Sequence, residues 1–438
     1  MSQRNFQNLS SMALRCNVLW RVNVSGDRMS TKSSAEAHRF DTEATTFYIP
    51  AEPGTDRMPL YRMFNGRDHM DSINVNESPH YQCELTLGYP WREHAGPRGT
   101  NVGHLKRLYN EATYDHALVS RVNEPLRGYR ADFDMPVLGY PRLGGAKLLP
   151  ISNGEIEIKS NEMAGGQVWE WHWNGRQFLE TADFGRGIQS SLSIPMPSLA
   201  DPAVSDPSLP TEGGGFSRQS VEPLHLQGSP VVNLHNEGFR QVSRAVPLEW
   251  QNHLFGCETD QIIAYPEFVI GKNLIFNDER TVHLSTEHRK RIVTYETVFY
   301  SPFEMDDVAI EIPTAYLKPD FNSFWRYDAE NATLTRMPSH SEYRGAGGVI
   351  LATQEPHDYA MGVYGSPPSM GGSVTYFNLL DFTNHGLPTV KWRAAYSLAD
   401  GEPGTFGSGE HVFCTQIVTG TLVEVANIMG ELFRFGVR

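Results

Sequence analysis

The chain has 438 residues, of which 39% are hydrophobic and 20% charged, and it carries a formal net charge of −14. That length predicts two or three domains. The charge, uninterrupted by any Lys/Arg block, argues against nucleic acid and anionic membrane as partners. Gly (39) and Pro (28) are plentiful and aromatics reach 11%, a balance that favours short strands joined by turns over long helices.

The first 17 residues read as a polar N-terminal tail without the apolar stretch of a signal peptide. No run approaches the roughly 18 apolar residues of a membrane span. A soluble protein is expected, in the cytoplasm or exported by a route the sequence does not show. Cys16, Cys83, Cys257 and Cys414 are far apart and form no Cys-x-x-Cys pair. They read as scattered thiols, with one bridge left open. No cofactor and no metal site are expected.

Residues 18–148 repeat three times. Leu19-Trp20-Arg21 recurs as Leu60-Tyr61-Arg62 and Leu105-Lys106-Arg107. Asp27-Arg28-Met29 recurs as Asp68-His69-Met70 and Asp115-His116-Ala117. Phe47-Tyr48-Ile49-Pro50 recurs as Leu87-Gly88-Tyr89-Pro90 and Leu138-Gly139-Tyr140-Pro141. A unit this small buries no core alone, but three around a shared axis can bury the recurring Leu, Tyr and Phe. A β-trefoil is the natural three-fold candidate and a three-bladed, propeller-like array the alternative.

From 149 to 438 strand follows strand. The predicted strands cover 151–159, 231–234, 242–249, 291–300, 309–315, 348–353, 359–364 and 391–398. A hairpin is predicted from 167–173 to 177–180 across Asn174-Gly175. Residues 195–230 hold Pro195, Pro197, Pro202, Pro207, Pro210 and Pro223 and the run Gly213-Gly214-Gly215, and read as a long loop, either a site wall or a surface excursion. The spacing of Leu422, Val425, Ala426, Met429 and Leu432 predicts a terminal helix over 421–433. The fold class is therefore all-β: a three-repeat, trefoil-like module followed by one large sandwich.

Two resemblances bear on this. The pattern carried by Leu60-Tyr61-Arg62-Met63-Phe64-Asn65, Asp68-His69 and Gly88-Tyr89 resembles lectin-like repeats found beside secreted bacterial enzymes and in some fungal proteins. The resemblance implies glycan binding; Arg28 and Lys106 depart from the pattern. Ser152-Asn153-Gly154-Glu155-Ile156-Glu157-Ile158, Asp183-Phe184-Gly185-Arg186-Gly187-Ile188-Gln189, Pro210-Thr211-Glu212-Gly213-Gly214 and Ala245-Val246-Pro247-Leu248-Glu249-Trp250 resemble bacterial proteins with the galactose-mutarotase-like β-supersandwich. That superfamily includes aldose epimerases and domains of polysaccharide lyases and glycosidases. Tyr376-Phe377-Asn378-Leu379 is similar to a mutarotase string, but Thr375 stands where a His belongs, so a simple aldose 1-epimerase is not expected.

These resemblances imply a polysaccharide- or oligosaccharide-acting enzyme, a lyase or a glycosidase, with a glycan as partner. The alternative is a non-catalytic glycan-binding or assembly protein. The candidate catalytic residues are Arg186, Glu212, His235 and Glu249. Arg186 is suited to bidentate contact with a carboxylate, and Glu212 with Glu249 would supply a carboxyl pair for hydrolysis. Arg186 with His235 or a Tyr would serve a lyase. Gln189, Glu237 and Trp250 are candidate substrate contacts. In the front module Tyr61, Asp68, His69 and Trp91 are candidates for a shallow sugar pocket. For the repeated polar residues a scaffold role, bonding one another or turn backbone, is the competing expectation.

Overall fold

The computed structural model describes residues 12–95, 103–119, 126–141, 147–181, 185–193, 210–214, 216–217, 228–249, 251–252, 261–306, 308–383, 387–397 and 406–438. The protein is all-β, and among the described residues helix is confined to short turns and one terminal segment.

The front repeats form β1 (Leu14–Val24), β2 (Asp27–Thr31), β3 (Asp41–Pro50), β4 (Leu60–Phe64), β5 (His69–Ser72), β6 (Gln82–Gly88), β7 (Trp91–Arg92), β8 (Gly103–Asn110), β9 (Asp115–Val119) and β10 (Arg130–Pro141). Every unit has the same plan. Its first strand lies in the middle, with the second and third antiparallel on either side: β2-β1-β3, β5-β4-β6 and β9-β8-β10. Register is also shared, since Arg21, Arg62 and Arg107 face Ser30, Asp71 and Leu118 across the hairpins. The leucine that opens each motif, Leu19, Leu60 or Leu105, is fully buried, and all three meet in one cluster with Phe47, Leu87 and Val137. Burial of apolar surface shared among the units is what makes units this small viable. β1 begins at Leu14, within the segment read as a tail, and its first residues pair with Gln261–Ala264. Around that joint Cys16, Val18 and Trp20 share a core with Val246, Leu248 and Ala264.

The rest of the described chain builds two large antiparallel sheets packed face to face. The first runs Leu148–Ser152, Ile156–Asn161, Val168–Trp173, Ile188–Ser193, Ala309–Leu317, Val390–Ser397, Tyr376–Asp381 and Ser341–Tyr343 in neighbour order. The second is nine-stranded, from Val231–Glu237 at one edge to Thr333–Arg336 at the other. Between them Trp171, Ile188, Ile310 and Trp392 from the first sheet meet Leu274, Tyr295, Val363 and Ile417 from the second.

The predicted hairpin forms, with Trp173 facing Arg176 across a turn whose Asn174 and Gly175 both take positive φ. The strand expected over 151–159 is instead a hairpin. Ile151 pairs with Ile158, and the Asn153 side chain accepts from the Glu155 and Ile156 backbone N–H groups to make the turn. Such local side-chain bonds compete with a continuous strand. The strand expected over 242–249 is broken between Arg240–Ala245 and Leu248–Glu249, where Pro247 has no N–H to offer a ladder. The terminal helix spans Leu422–Arg434 behind a Thr421/Glu424 capping box. Its apolar stripe covers Ile350, Ala352, Tyr364 and Val418 on the outer face of the second sheet.

Candidate functional site

Along Val390–Ser397 the side chains alternate. Val390, Trp392 and Ala394 enter the core, which turns Lys391 and Arg393 to the outer face of the first sheet. The same alternation puts Glu311 and Tyr316 outside on Ala309–Leu317, and Tyr376 and Asn378 outside on Tyr376–Asp381. Cross-strand register then lines these residues into rows. Ser191 faces Glu311, which faces Ala395, which faces Tyr376. Gln189 faces Thr314, then Arg393, Asn378 and Glu342. Tyr316 faces Lys391.

The polar atoms of this face are bonded to one another. Lys391 Nζ lies 3.2 Å from Glu311 Oε1 and 3.2 Å from the Tyr316 hydroxyl. Arg393 Nη1 donates to Glu311 Oε1 at 3.2 Å, while its Nε and Nη2 both donate to Asn378 Oδ1. The guanidinium groups of Arg344 and Arg393 each lie over the Tyr376 ring, 5.3 Å from its centroid. Burial opposes ionisation of Glu311, yet Lys391 and Arg393 outweigh it and hold the carboxyl below its ordinary value. Burial likewise pulls Lys391 down, but Glu311 and then Tyr316 carry it above its ordinary value.

Two groups beside these rows remain without a partner. The Ser191 hydroxyl is buried and makes no hydrogen bond, and neither amide atom of the fully buried Gln167 makes one. Gln167 adjoins Gly187, whose added Cβ would sit 3.8 Å from its amide carbon. Buried polar groups in native proteins are rarely left so, and such orphans mark places where water or a ligand group binds.

Of the residues singled out from the sequence, Gln189 reaches this face. Its amide ties the segment together, donating to Gly185 O at 2.7 Å and accepting from Gly213 N at 2.9 Å. Arg186 is buried close by, with Nη1 3.8 Å from Glu180 Oε1. Glu212 points the other way, into the space between the sheets. It is fully buried against Lys272, with Oε1 2.5 Å from Nζ. It also accepts from Ser243 Oγ, Ser190 N and the Tyr295 hydroxyl. Lys272 completes its three donors on Gly166 O, Glu212 and Ser243, although burial, ahead of the Glu212 charge, pulls its pKa below the ordinary value. So enclosed, this carboxylate has no room for a substrate and acts as scaffold.

Glu249 lies on the next strand, opposite Pro210, and accepts from the Tyr265 hydroxyl at 3.1 Å. His235 and Glu237 share a face as expected, 2.7 Å apart and exposed. That face is not shared with Glu212: Leu234 pairs with Ser243 while His235 pairs with Val242, which turns His235 away from the Ser243–Glu212 side. Arg186, Glu212, His235 and Glu249 therefore do not form one constellation. Trp250 lies outside the described residues, as does most of the 195–230 loop.

In the front module the Asp-His motif closes a ring. His69 donates its backbone N–H to Asp27 Oδ1 at 3.0 Å, and its Nδ1 lies 2.5 Å from Asp27 Oδ2. His116 treats Asp68 identically, at 3.0 and 2.7 Å. Arg28 completes the circle on Asp115, at 2.8 and 3.1 Å. Each unit thus grips the aspartate of the unit before it, and the first unit grips the last. A second ring follows the same sense: Arg21, Arg62 and Arg107 donate to the carbonyls of Leu118, Ser30 and Asp71. Oxygens of Asp27, Asp68 and Asp115 lie within 4.8 Å of one another, and both oxygens of each accept the bonds just described. Asp68 and His69 are committed to holding the module together. Trp91 is buried edge-on to Tyr140, 5.1 Å between centroids, with no face open to a sugar. Tyr61 is half-buried on β4.

The residues missed from the sequence are Glu311, Tyr316, Lys391 and Arg393. Their signal was present in the Lys391-Trp392-Arg393 alternation and in the Tyr376-Phe377-Asn378-Leu379 string, which lie on adjacent strands. Among the described residues no helix is long and apolar enough to cross a membrane.

No family model matches the chain, and no curated protein matches it. Solved structures with a partial likeness include a TPR-domain containing protein from Parabacteroides distasonis, 10% identical, covering 67% of this chain and 49% of that one with a TM-score of 0.34. A 4-alpha-glucanotransferase from Thermococcus litoralis is 9% identical over 64% of this chain and 38% of its own, with a TM-score of 0.32. A proposed aldose 1-epimerase from Klebsiella pneumoniae is 8% identical over 68% of this chain and 86% of its own, with a TM-score of 0.35. The chain spans about half the length of the first of these and 38% of the second. Likenesses this distant assign the chain to no family.

Proposed function

We propose that the protein is carbohydrate-active: a polysaccharide- or oligosaccharide-acting enzyme, lyase or glycosidase, whose sugar lies on the outer face of the first sheet of a mutarotase-like supersandwich. The front repeats serve it as a lectin-like, trefoil-type module. The observation that carries the reading is the set of polar side chains aligned on that face, with the Ser191 hydroxyl and the Gln167 amide left unbonded among them. Sugars present closely spaced hydroxyls that both donate and accept, which is what such orphaned groups lack. Tyr376, with two guanidinium groups over its ring, adds an aromatic surface of the kind that borders polar ligands.

A non-catalytic glycan-binding role is favoured by one observation. Glu212 is sealed in the core while His235 faces the opposite side of its sheet, so the proton-transfer pairs expected from sequence are not assembled. Incubation with a panel of neutral and acidic polysaccharides, followed by reducing ends and unsaturated-product absorbance, separates the two roles. A glycan array measures binding in parallel. Turnover that falls in Ser191→Ala, which removes a hydroxyl that holds no bond in the fold, at unchanged melting temperature supports the enzyme. Binding without product supports the second role, and neither binding nor product rejects both.

A further inference from the structure

We infer that the sugar held on this face is anionic, carrying a carboxylate that docks on Arg393 and Lys391; this rests on the carbohydrate reading above. The argument is one of charge. Several guanidinium groups of this protein each bond two carboxylates: Arg28 bonds Glu43 and Asp115, and Arg62 bonds Glu36 and Glu84. Arg107 bonds Glu77 and Asp132, and Arg280 bonds Asp278 and Glu296.

At the sheet face the ratio inverts. Arg393 and Lys391 share the single carboxylate of Glu311. The edge of Arg393 formed by Nε and Nη2, the edge that ordinarily takes a bidentate carboxylate, meets only the neutral amide oxygen of Asn378. Beside them Arg344 lies 2.7 Å from Glu342 and Arg186 3.8 Å from Glu180. Lys391 and Arg393 thus set two cations against one carboxylate, whereas farther along the same face Lys159 lies beside both Glu157 and Glu170. A positive excess on a buried surface costs free energy unless a counter-charge arrives, and here it persists in a chain of net charge −14. The flat guanidinium and the ammonium of Lys391 suit a planar carboxylate on a sugar ring.

The test uses the full chain and matched ligands: oligosaccharides of galacturonate, glucuronate and mannuronate, each beside its methyl ester, which keeps ring and linkage and removes the charge. Titration calorimetry at low salt is expected to show one acid form binding at least about tenfold more tightly than its ester, with the difference shrinking as salt rises. Asn378→Asp supplies the missing carboxylate from within. It is expected to erase the preference for acid over ester while raising the melting temperature. Arg393→Gln is expected to erase the same preference without that rise. Equal binding of acid and ester overturns the inference and leaves the carbohydrate reading standing, as does tighter binding of a sulfated neutral glycan. Absence of binding to every acidic and neutral glycan removes the carbohydrate reading itself.

Discussion

Replacing Lys272 by Met tests how far the core of the sandwich depends on one charge. Lys272 and Glu212 are both fully buried, and Lys272 spends three donors on Gly166 O, Glu212 Oε1 and Ser243 Oγ. Met keeps the length of the stem but removes the ammonium. Glu212 would then keep Ser190 N and two hydroxyls as neutral donors, with its charge uncompensated between two apolar sheets. Breaking a buried pair from one side costs about 3–5 kcal/mol. Glu212→Gln in the same background removes the stranded charge, keeps an acceptor for Ser190 N, and should return most of that loss, leaving about 1–2 kcal/mol for the unmatched hydrogen bonds. Urea unfolding followed by tryptophan fluorescence measures both variants, and the wild type sets the slope. A single variant that loses less than about 1 kcal/mol, the range of exposed pairs, would refute the reasoning. So would a double variant no more stable than the single.

Asp71 offers a test of opposite sign. Burial, only partly offset by the Ser30 hydroxyl and by Arg62, pushes its carboxyl up to about 6, and Oδ1 has no hydrogen-bond partner. A folded pKa above the unfolded one favours the protonated form, so the ionised group subtracts stability progressively from about pH 4 to pH 6 and fully above. Asp71→Asn should therefore gain roughly 1–3 kcal/mol at pH 8 and almost nothing at pH 4, read from urea midpoints at the two pH values. At Arg28, Lys should fail where His succeeds. Arg28 bridges Glu43 and Asp115 with separate nitrogens, as His69 bridges Asp27 and Glu84, whereas a single ammonium cannot span both. Arg28→Lys is expected to increase limited proteolysis of the front module about tenfold, a loss of about 1.4 kcal/mol, and Arg28→His much less. Equal sensitivity would mean that the bridge contributes nothing.

The sequence made the repeat legible because its anchors do structural work at fixed register: Leu19, Leu60 and Leu105 meet in the core, and each Asp meets the next unit's His or Arg. The terminal helix and the Asn174-Gly175 hairpin were equally plain, since both are local. The site was harder to read. Arg186, Glu212, His235 and Glu249 fall on short motifs that attract the eye, but which face of a sheet each occupies depends on pairing partners tens of residues away. One bulge, such as that between Gln189 and Ser191 against Glu311 and Thr314, changes the parity that a reader would count. Glu311, Asn378 and Lys391 share no segment, and only the strand order brings them together.

The ring of aspartates also bears on how the front module assembles. The joints Asp27–His69 and Asp68–His116 close loops of 42 and 48 residues, while Arg28 to Asp115 spans 87. Doubling a loop adds about 0.6 kcal/mol of closure entropy, so the longest joint is the last to form on entropic grounds. It is also the joint held by arginine, whose charge does not switch off and whose guanidinium reaches Glu43 and the Tyr129 hydroxyl as well as Asp115. The strongest clasp thus sits where the chain must travel furthest to fasten it. Because it ties the first repeat to the third, the circle accepts neither a fourth member nor the loss of one.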